Sequence, residues 1–155
     1  MNLAVDPAFF SLLNGSHERL VGKPLVAGAM SAAEGAQWLF NEAEFCVLAH
    51  DTAADPVFIY ANKAAQRCFE YDWDEITTLP SRLSAEAPDR EERARLFAQV
   101  SRDGFVNGYR GLRITKSGRR FWMENGVVWQ LIDERGHLHG EAAAFADWRI
   151  VPAAG

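Results

Sequence analysis

The sequence lacks the features that mark membrane, secreted and nucleic-acid-binding proteins. Its longest apolar runs fall far short of the ~20 residues that span a bilayer. The N-terminal stretch MNLAVDPAFF has neither the basic start nor the apolar run of a signal peptide. The net charge is -5 and no block of basic residues is present, which argues against nucleic acid as a partner. These absences predict a cytoplasmic protein that binds neither membranes nor nucleic acids.

Cysteine is scarce, and the two cysteines stand in different predicted elements. Cys46 lies in a strand-like run and Cys68 in a helix-like run, with no CxxC motif and no histidine at metal-ligand spacing. We therefore expect two thiols that act as small apolar side chains rather than as a redox pair, and no metal site.

The remaining composition is that of a single globular domain. The chain has 155 residues, of which 48% are apolar and 12% aromatic, enough to bury roughly 70% of its unfolded surface. It shows no internal repeat, low-complexity tract or second-domain boundary. We predict an α+β domain over residues 41–150, preceded by an N-terminal helical extension over residues 1–40.

Two helices are predicted in the N-terminal extension. Asp6 and Pro7 form a helix start, and Ser31 with Glu34 forms a capping box ahead of a second, shorter helix. The first helix has an apolar face that needs a partner, either the sheet of its own chain or a second copy of the protein. Both alternatives are open from the sequence. This candidate dimer helix presents Phe9, Phe10, Leu12, Leu13 and Leu20.

The stretch over residues 45–83 organises the rest of the domain. Two β-prone runs, 45–49 and 57–61, are joined by the polar turn DTAADP. Asn62 is placed to cap the helix that follows, and Asp72 repeats the capping pattern at the start of a second helical turn. The stretch therefore predicts two strands and two short helices.

The C-terminal half contains a longer helix and three strands. Residues 89–102 place apolar side chains on one helical face and charges on the other. The runs 106–116, 119–132 and 137–148 follow, with turn signals between them. The middle run alternates apolar and polar side chains, as is typical of a half-buried antiparallel strand. We predict one antiparallel sheet.

Two stretches of the chain resemble PAS domains. The first stretch is similar to the strand, Asn-capped helix and turn of those domains: FIYANKAAQRCFEYDWDEI. The second stretch is similar to their hairpin: LRITKSGRRFWMENGVVWQLIDERG. A longer stretch resembles one family of PAS-like domains, the MEKHLA family: WLFNEAEFCVLAHDTAADPVFIYANKAAQRCFEYDWDEITTLPSRLSAEAP. MEKHLA domains occur in certain plant transcription factors and as small bacterial proteins. The resemblance runs from about Phe9 to Trp148. It implies a five-stranded antiparallel sheet with helices over one face, commonly dimeric, that senses a ligand or passes a signal.

The resemblance to the flavin-binding LOV subgroup of PAS domains fails at the residues that hold and react with flavin. Ser81 stands where those domains have a reactive thiol, and a serine lacks the acidity of a thiol. Arg113 and Met123 stand where two asparagines bond the flavin, and only Arg82 matches. Haem needs an axial ligand, and residues 89–104 contain no His, Cys, Met or Tyr. We expect neither flavin nor haem, with His50 at the sheet edge left open as a haem ligand.

A small organic ligand is the remaining candidate for a cavity between the helices and the sheet. Such pockets are mostly apolar with a few placed polar groups, and we predict a small apolar or anionic ligand with Arg82 as its polar anchor. The alternative is that the same aromatic side chains fill the core. The candidate pocket residues are Phe69, Ser81, Arg82, Leu83, Phe97, Tyr109, Arg113, Met123 and Trp129.

No catalytic set is visible in the sequence. His50 and Asp51 are neighbours on a strand and point to opposite faces, and Ser81 has no base at a predictable distance. Glu124 and Glu141 lie in predicted strands, where burial would raise the pKa of a carboxyl group. We predict a non-catalytic sensory or regulatory domain that binds a small ligand, forms a homodimer and signals through an unidentified partner. A ligand-free interaction module is the first alternative and a small α+β enzyme the second; a buried carboxylate or histidine facing a cavity would favour the enzyme.

Overall fold

The chain folds into one antiparallel sheet with helices on both faces. The computed structural model describes residues 2–28 and 30–152, apart from the side chains of residues 87–89. Within this part of the chain no helix is long and apolar enough to cross a membrane. The helices are α1 (Pro7–Val21), α2 (Ala32–Asn41), α3 (Lys63–Phe69), α4 (Trp73–Ile76) and α5 (Ala87–Asp103), with a 3₁₀ turn at Ser81–Ser84. The strands are β1 (Cys46–His50), β2 (Phe58–Ala61), β3 (Phe105–Ile114), β4 (Arg120–Ile132), β5 (Leu138–Phe145) and β6 (Asp147–Ile150).

The sheet is five strands wide, in the order β2-β1-β5-β4-β3, and β6 pairs with β4. Met123 of β4 pairs with Gly111 of β3 and with Trp148 of β6, so β6 lies on the edge of β4 that β5 also occupies. The strands β5 and β6 are therefore one interrupted strand. The predicted α+β fold with a five-stranded antiparallel sheet is confirmed.

In the first half of β4 the odd-numbered side chains point to one face of the sheet, and in the second half they point to the other face. Phe121 and Met123 pack in the same core as Val128, whereas Trp129 packs in the core on the other face. An odd spacing between residues on one face requires an irregularity, and Asn125 supplies it with a left-handed φ of 51°. The pairing of β3 with β4 shifts register at the same level. The strand therefore consists of two regularly alternating segments, and the bulge at Asn125 reverses the alternation between them.

One face of the sheet carries α1 and α2, and we call it the closed face. The predicted helix starts are confirmed, since Asp6 accepts from the Ala8 N–H at 3.0 Å and Ser31 forms its capping box with Glu34. Phe9, Phe10 and Leu13 are buried against the sheet; Leu12 and Leu20 are partly buried there. The apolar face of α1 therefore packs on the sheet of its own chain, the first of the two alternatives for this helix.

Asn62 joins three elements at the edge between the two cores. Its side-chain oxygen accepts from the N–H groups of Ala65 and Val47, at 3.1 and 3.0 Å. Its amide donates to the carbonyl oxygens of Leu39 and Phe45, at 3.0 and 2.9 Å. The predicted cap of α3 is therefore also the link that fixes α2 and β1 against it, and the fully buried amide has all its hydrogen bonds made.

Candidate functional site

A small cavity of about 50 Å³ lies between α5 and the face of the sheet opposite α1, which we call the cavity face. Its walls are mainly apolar side chains of the sheet, α3 and α5. Because the wall of the cavity is mainly apolar, a polar side chain buried in it has lost most of its water and depends on its protein partners. The polar side chains of the wall are His50, Ser84, Arg93, Tyr109, Arg113 and Glu141.

The structure brings five of the nine candidate pocket residues to this cavity. Phe69 comes from the C-terminal end of α3 and Phe97 from α5. Tyr109, Arg113 and Met123 come from β3 and β4, on the side of the bulge where odd-numbered residues point to the cavity face.

The other four candidates lie elsewhere, which corrects the predicted set of pocket residues. Ser81 is buried behind the wall and accepts a hydrogen bond at 2.6 Å from Arg93. The next two residues of the 3₁₀ turn point outward: Arg82 pairs with Asp55 at 3.1 Å on the surface, and Leu83 is 37% exposed. Trp129 lies on the closed face because of the bulge in β4. Arg82 is therefore not the polar anchor of this cavity.

His50 and Glu141 form the most unusual pair in the wall. They stand opposite each other on β1 and β5, and each is only 9% exposed. His50 Nε2 and Glu141 Oε2 are 3.7 Å apart, too far for a hydrogen bond. Neither atom has a hydrogen-bond partner among the described residues. Two buried polar atoms facing a cavity without partners are a site where a bound group is expected to restore the missing bonds.

The protonation of this pair follows from its surroundings. His50 Nδ1 donates to the carbonyl oxygen of Asp51 at 2.9 Å, which leaves the lone pair of the neutral ring on Nε2. Burial lowers the pKa of His50 below its usual value, so the ring is neutral at pH 7. Burial raises the pKa of Glu141 to about 7, and the charge of Arg93 opposes that rise. The carboxyl group therefore changes charge near neutral pH.

Arg93 is one of two arginines in the cavity wall. Its guanidinium lies 4.3 Å from the centre of the Phe97 ring, and Nη2 donates to the Ser81 hydroxyl. Burial and the nearby charge of Arg113 lower the pKa of Arg93 to about 10, which still leaves it charged at neutral pH. The Ser81 bond and the Phe97 ring hold this buried charge in place.

A hydrogen-bonded chain connects α5 to β3 at the other side of the cavity. Tyr109 donates from its hydroxyl to Glu92 Oε2 at 2.9 Å and accepts from Arg113 Nη2 at 3.1 Å. Arg113 also donates from Nη1 to the carbonyl oxygen of Leu112. Burial is the main cause that raises the pKa of Tyr109, so the hydroxyl keeps its proton. This chain fixes the cavity wall.

Sequence reasoning missed Arg93 and the pairing of His50 with Glu141. Arg93 was hidden in the charged run REERAR, although it stands one turn before Leu96 and Phe97 on the apolar side of α5. Gly140 was a usable signal, because a glycine inside a strand marks a close backbone approach. A Cβ there would lie 2.0 Å from the His50 carbonyl oxygen. The approach sets Glu141 beside His50.

The arrangement offers hydrogen bonds to a ligand and little that would drive a reaction. A buried histidine and carboxylate do face the cavity, which is the feature expected of an enzyme. The Ser84 hydroxyl in the wall, however, donates to the Ser81 carbonyl oxygen, so it forms no nucleophile–base pair with His50. No cluster of His, Cys, Asp or Glu that could hold a metal ion occurs among the described residues.

The cavity does not fit a flavin or a haem as it stands. Its volume of about 50 Å³ is several times below the ~300 Å³ at which ordinary ligand sites begin. His50 Nε2, the ring nitrogen that would have to bind a haem iron, lies 3.7 Å from the carboxyl oxygen Oε2 of Glu141. Ser81, at the position of the LOV thiol, is already bonded to Arg93. Either cofactor would require the walls to move apart.

The two cysteines are neighbours in space. Cys46 is fully buried in β1, Cys68 is half-buried in α3, and both are free thiols. A hydrogen bond with Cys68 and burial both raise the pKa of Cys46, which keeps its thiol protonated and unreactive. Neither cysteine lines the cavity. That these thiols act as apolar side chains stays a prediction.

Comparison with known proteins identifies related chains. A curated relative, the homeobox-leucine zipper protein ATHB-9 of Arabidopsis thaliana, is 25% identical over 114 residues, which are 74% of this chain and 13% of that protein. This chain therefore corresponds to a small part of that relative, and the activity of the whole relative does not transfer to it.

Solved structures share the fold at low sequence identity. The PAS domain of a protein from Colwellia psychrerythraea superposes with a TM-score of 0.60 at 16% identity, over 72% of this chain and 90% of that one. An RNA-binding light-oxygen-voltage receptor superposes with a TM-score of 0.64 at 20% identity, over 77% of this chain and 34% of that one. A light-oxygen-voltage domain studied with a flavin analogue gives 0.56 at 16% identity, over 69% of this chain and 77% of that one. These similarities show the fold.

The family follows from the model of the MEKHLA domain, which matches residues 8–150. That range includes α1 and α2 as well as the whole sheet. With a PAS fold and a match over nearly its full length, the chain belongs to the MEKHLA domain family.

Proposed function

We propose that this chain is a non-catalytic sensory or regulatory domain whose cavity binds a small organic molecule. The observation that carries the proposal is the pair of buried polar atoms, His50 Nε2 and Glu141 Oε2, that face the cavity without partners. Leaving such atoms unpaired costs roughly 1–3 kcal/mol each, and a ligand that bonds them recovers part of that cost. Membership of a PAS-like family supports a sensory role.

The experiment is a ligand screen on the purified full chain. Thermal unfolding is followed with a library of small polar organic molecules, and a true ligand raises the midpoint in proportion to the logarithm of its concentration above Kd. Mass spectrometry of molecules that co-purify with the chain identifies a natural ligand directly. We expect stabilisers that act in the millimolar range or below.

The matched control is Ala143→Leu. Ala143 lines the cavity on β5, so the larger side chain fills the space that a ligand needs. The variant should fold and lose the response to every true ligand. If all stabilisers act equally on both proteins, they bind elsewhere and the proposed cavity function is wrong.

A homodimer and a partner protein complete the proposed function. Signalling from a ligand cavity needs a second surface, and in this chain the apolar side of α1 is already covered by the sheet. A dimer contact would therefore use another surface. The proposed site of action is the cytoplasm. Sedimentation at micromolar concentration, with and without a stabiliser, tests this: a monomer under both conditions contradicts the homodimer.

The proposal includes no flavin or haem. Its support is the absence of a thiol at position 81 and the size of the cavity. A purified sample that shows the visible absorbance of a flavin or a haem would overturn this part of the proposal.

A ligand-free interaction module is the second candidate. The small volume of the cavity favours it, because about 50 Å³ accommodates a few ordered waters. The ligand screen separates this candidate from the ligand-binding domain. A ligand-free module gives no stabiliser whose effect is lost in Ala143→Leu.

A further inference from the structure

The cavity presents two hydrogen-bond acceptors side by side. His50 donates through Nδ1 to Asp51, so Nε2 offers a lone pair to the cavity. In its ionised form, Glu141 offers a carboxylate oxygen 3.7 Å away. The two atoms are unable to satisfy each other at this distance. A group that carries two N–H or O–H hydrogens on one atom, placed between them, would satisfy both.

The cavity also presents a donor. Arg93 uses Nη2 on Ser81 and retains further N–H groups on its planar fork. Its charge acts on both His50 and Glu141, so the three groups form one electrostatic unit. A carbonyl oxygen on the ligand is the natural partner for the free donors of Arg93.

Charged ligands fit this arrangement poorly. An ammonium group would face the guanidinium groups of Arg93 and Arg113, both in the wall. A carboxylate would place an oxygen lone pair against the lone pair of His50 Nε2. A neutral group with an N–H₂ beside a carbonyl meets neither problem.

We propose that the cavity recognises a neutral amide group, a primary carboxamide or a urea, whose N–H₂ bridges His50 and Glu141 and whose carbonyl accepts from Arg93. This inference rests on the proposed function, because it names the chemical class of the molecule that the same cavity binds. The volume of about 50 Å³ suits a group of a few heavy atoms. The apolar remainder of the molecule packs on Phe69, Phe97 and Met123, which line the same space.

The test compares three probes of nearly identical shape: acetamide, acetate and acetone. Each has four heavy atoms, and they differ in carrying an N–H₂ group, a negative charge or a methyl group at one position. Titration of the ¹⁵N-labelled full chain by NMR measures each Kd, with the backbone amides of β1, β5 and α5 as reporters. We expect acetamide to bind at least about tenfold more tightly than either of the others, the effect of one satisfied buried hydrogen bond.

Two variants examine the contacts. His50→Phe removes the acceptor and keeps a ring against Phe97, from which the His50 ring centre is 5.1 Å. It should weaken acetamide by about tenfold and leave acetone unchanged. Glu124→Gln is the control, since Glu124 pairs with Arg149 and Arg110 on the surface. It should change neither Kd.

The outcomes separate this inference from the function on which it rests. If acetate or acetone binds as tightly as acetamide, and Ala143→Leu abolishes that binding, the cavity binds ligands but the amide class is wrong. If acetamide leaves the spectrum unchanged, the amide inference is again wrong. If no probe and no screened molecule depends on Ala143, the proposed function fails as well.

Discussion

The two faces of the sheet use buried polar residues in opposite ways. On the closed face, Trp129 donates from Nε1 to the Ser16 hydroxyl at 3.1 Å, and Ser16 donates to the Leu12 carbonyl oxygen at 2.6 Å. His17 bonds through Nδ1 to the Lys23 carbonyl oxygen, and its ring meets the edge of Trp129 at 4.8 Å. On the cavity face, His50 has a similar backbone bond, but its Nε2 is fully buried without a partner beside the equally unpaired Oε2 of Glu141.

The difference teaches how to separate a structural histidine from a candidate site. Both His17 and His50 are buried, and burial is the main cause that lowers the pKa of each. The burial and the pKa shift therefore do not distinguish them. What distinguishes them is the surroundings: His17 packs on Trp129 within a filled core, whereas His50 lines a cavity beside an unpaired carboxyl group. The closed face holds the helices to the sheet, and the cavity face leaves two buried polar atoms without hydrogen-bond partners.

The largest expected effect is the loss of Trp129 from the closed face. Trp129→Ala removes a fully buried ring from a filled core, and such truncations cost about 3–5 kcal/mol. Phe97→Ala, on the cavity face, should cost about 1–2 kcal/mol, because Phe97 is only partly buried and already borders empty space. Urea unfolding measures both. Equal losses would mean that the two faces are packed alike.

A smaller effect is expected from the pH dependence of Glu141. Its pKa is about 7 in the folded chain against an ordinary 4.5, so the folded state holds this proton more tightly than the unfolded state does. The resulting stability is fully present below pH 4.5 and is lost as the pH rises through 7. Glu141→Gln should remove this loss and gain about 2 kcal/mol relative to the wild type between pH 5 and 8, after allowance for partial solvent screening.

The opposite dependence of His50 provides an internal check. Because its folded pKa is lowered from 6.5, the neutral ring stabilises the fold above that pH, and this stability is lost as the pH falls. Glu141→Gln should leave that acid-side loss in place. Glu124→Gln is the control, because arginine bonds lower the pKa of Glu124 and its stability contribution is lost only in acid. An unchanged pH profile in Glu141→Gln would show that this carboxyl group is solvated.

Two serines, one on each face, give a third comparison. Ser16→Ala leaves the Trp129 N–H buried without its acceptor, which should cost about 1–2 kcal/mol. Ser84→Ala leaves the Ser81 carbonyl oxygen beside the cavity, where water has room to replace the lost donor. Its cost should be about half as large or less. Guanidinium unfolding of both variants measures the difference, and a larger loss for Ser84→Ala would contradict it.

The parts of the structure that depend on residues close together in the sequence could be predicted from the sequence. The caps at Asp6, Ser31 and Asn62 are local, since the side chain bonds a backbone group a few residues away. The three C-terminal strands follow from alternation and turn signals in the same way. Asn62 was predicted as a cap, but its bonds to Leu39 and Phe45 connect distant segments and are not encoded in any local pattern.

The candidate site was predicted less well, because its position depends on long-range register. Trp129 was assigned to the cavity by simple alternation, and the bulge at Asn125 reversed that assignment. The dipeptide Asn125-Gly126 is itself a turn signal inside a strand pattern and would have located the bulge. His50 meets Glu141 only through the register of β1 on β5, which the sequence of either strand does not reveal.

The smallest expected effect is that of Arg82, and it separates a surface arginine from a cavity arginine. The side chains of Arg82 and Asp55 are 47% and 55% exposed, and exposed ion pairs contribute about 0–1 kcal/mol. Arg82→Ala should therefore leave both the unfolding midpoint and the acetamide Kd nearly unchanged. Arg93→Met, which keeps an unbranched apolar side chain but removes the guanidinium and its donors, should weaken acetamide by about tenfold. A strong effect of Arg82→Ala on binding would return the polar anchor to the surface turn and remove it from α5.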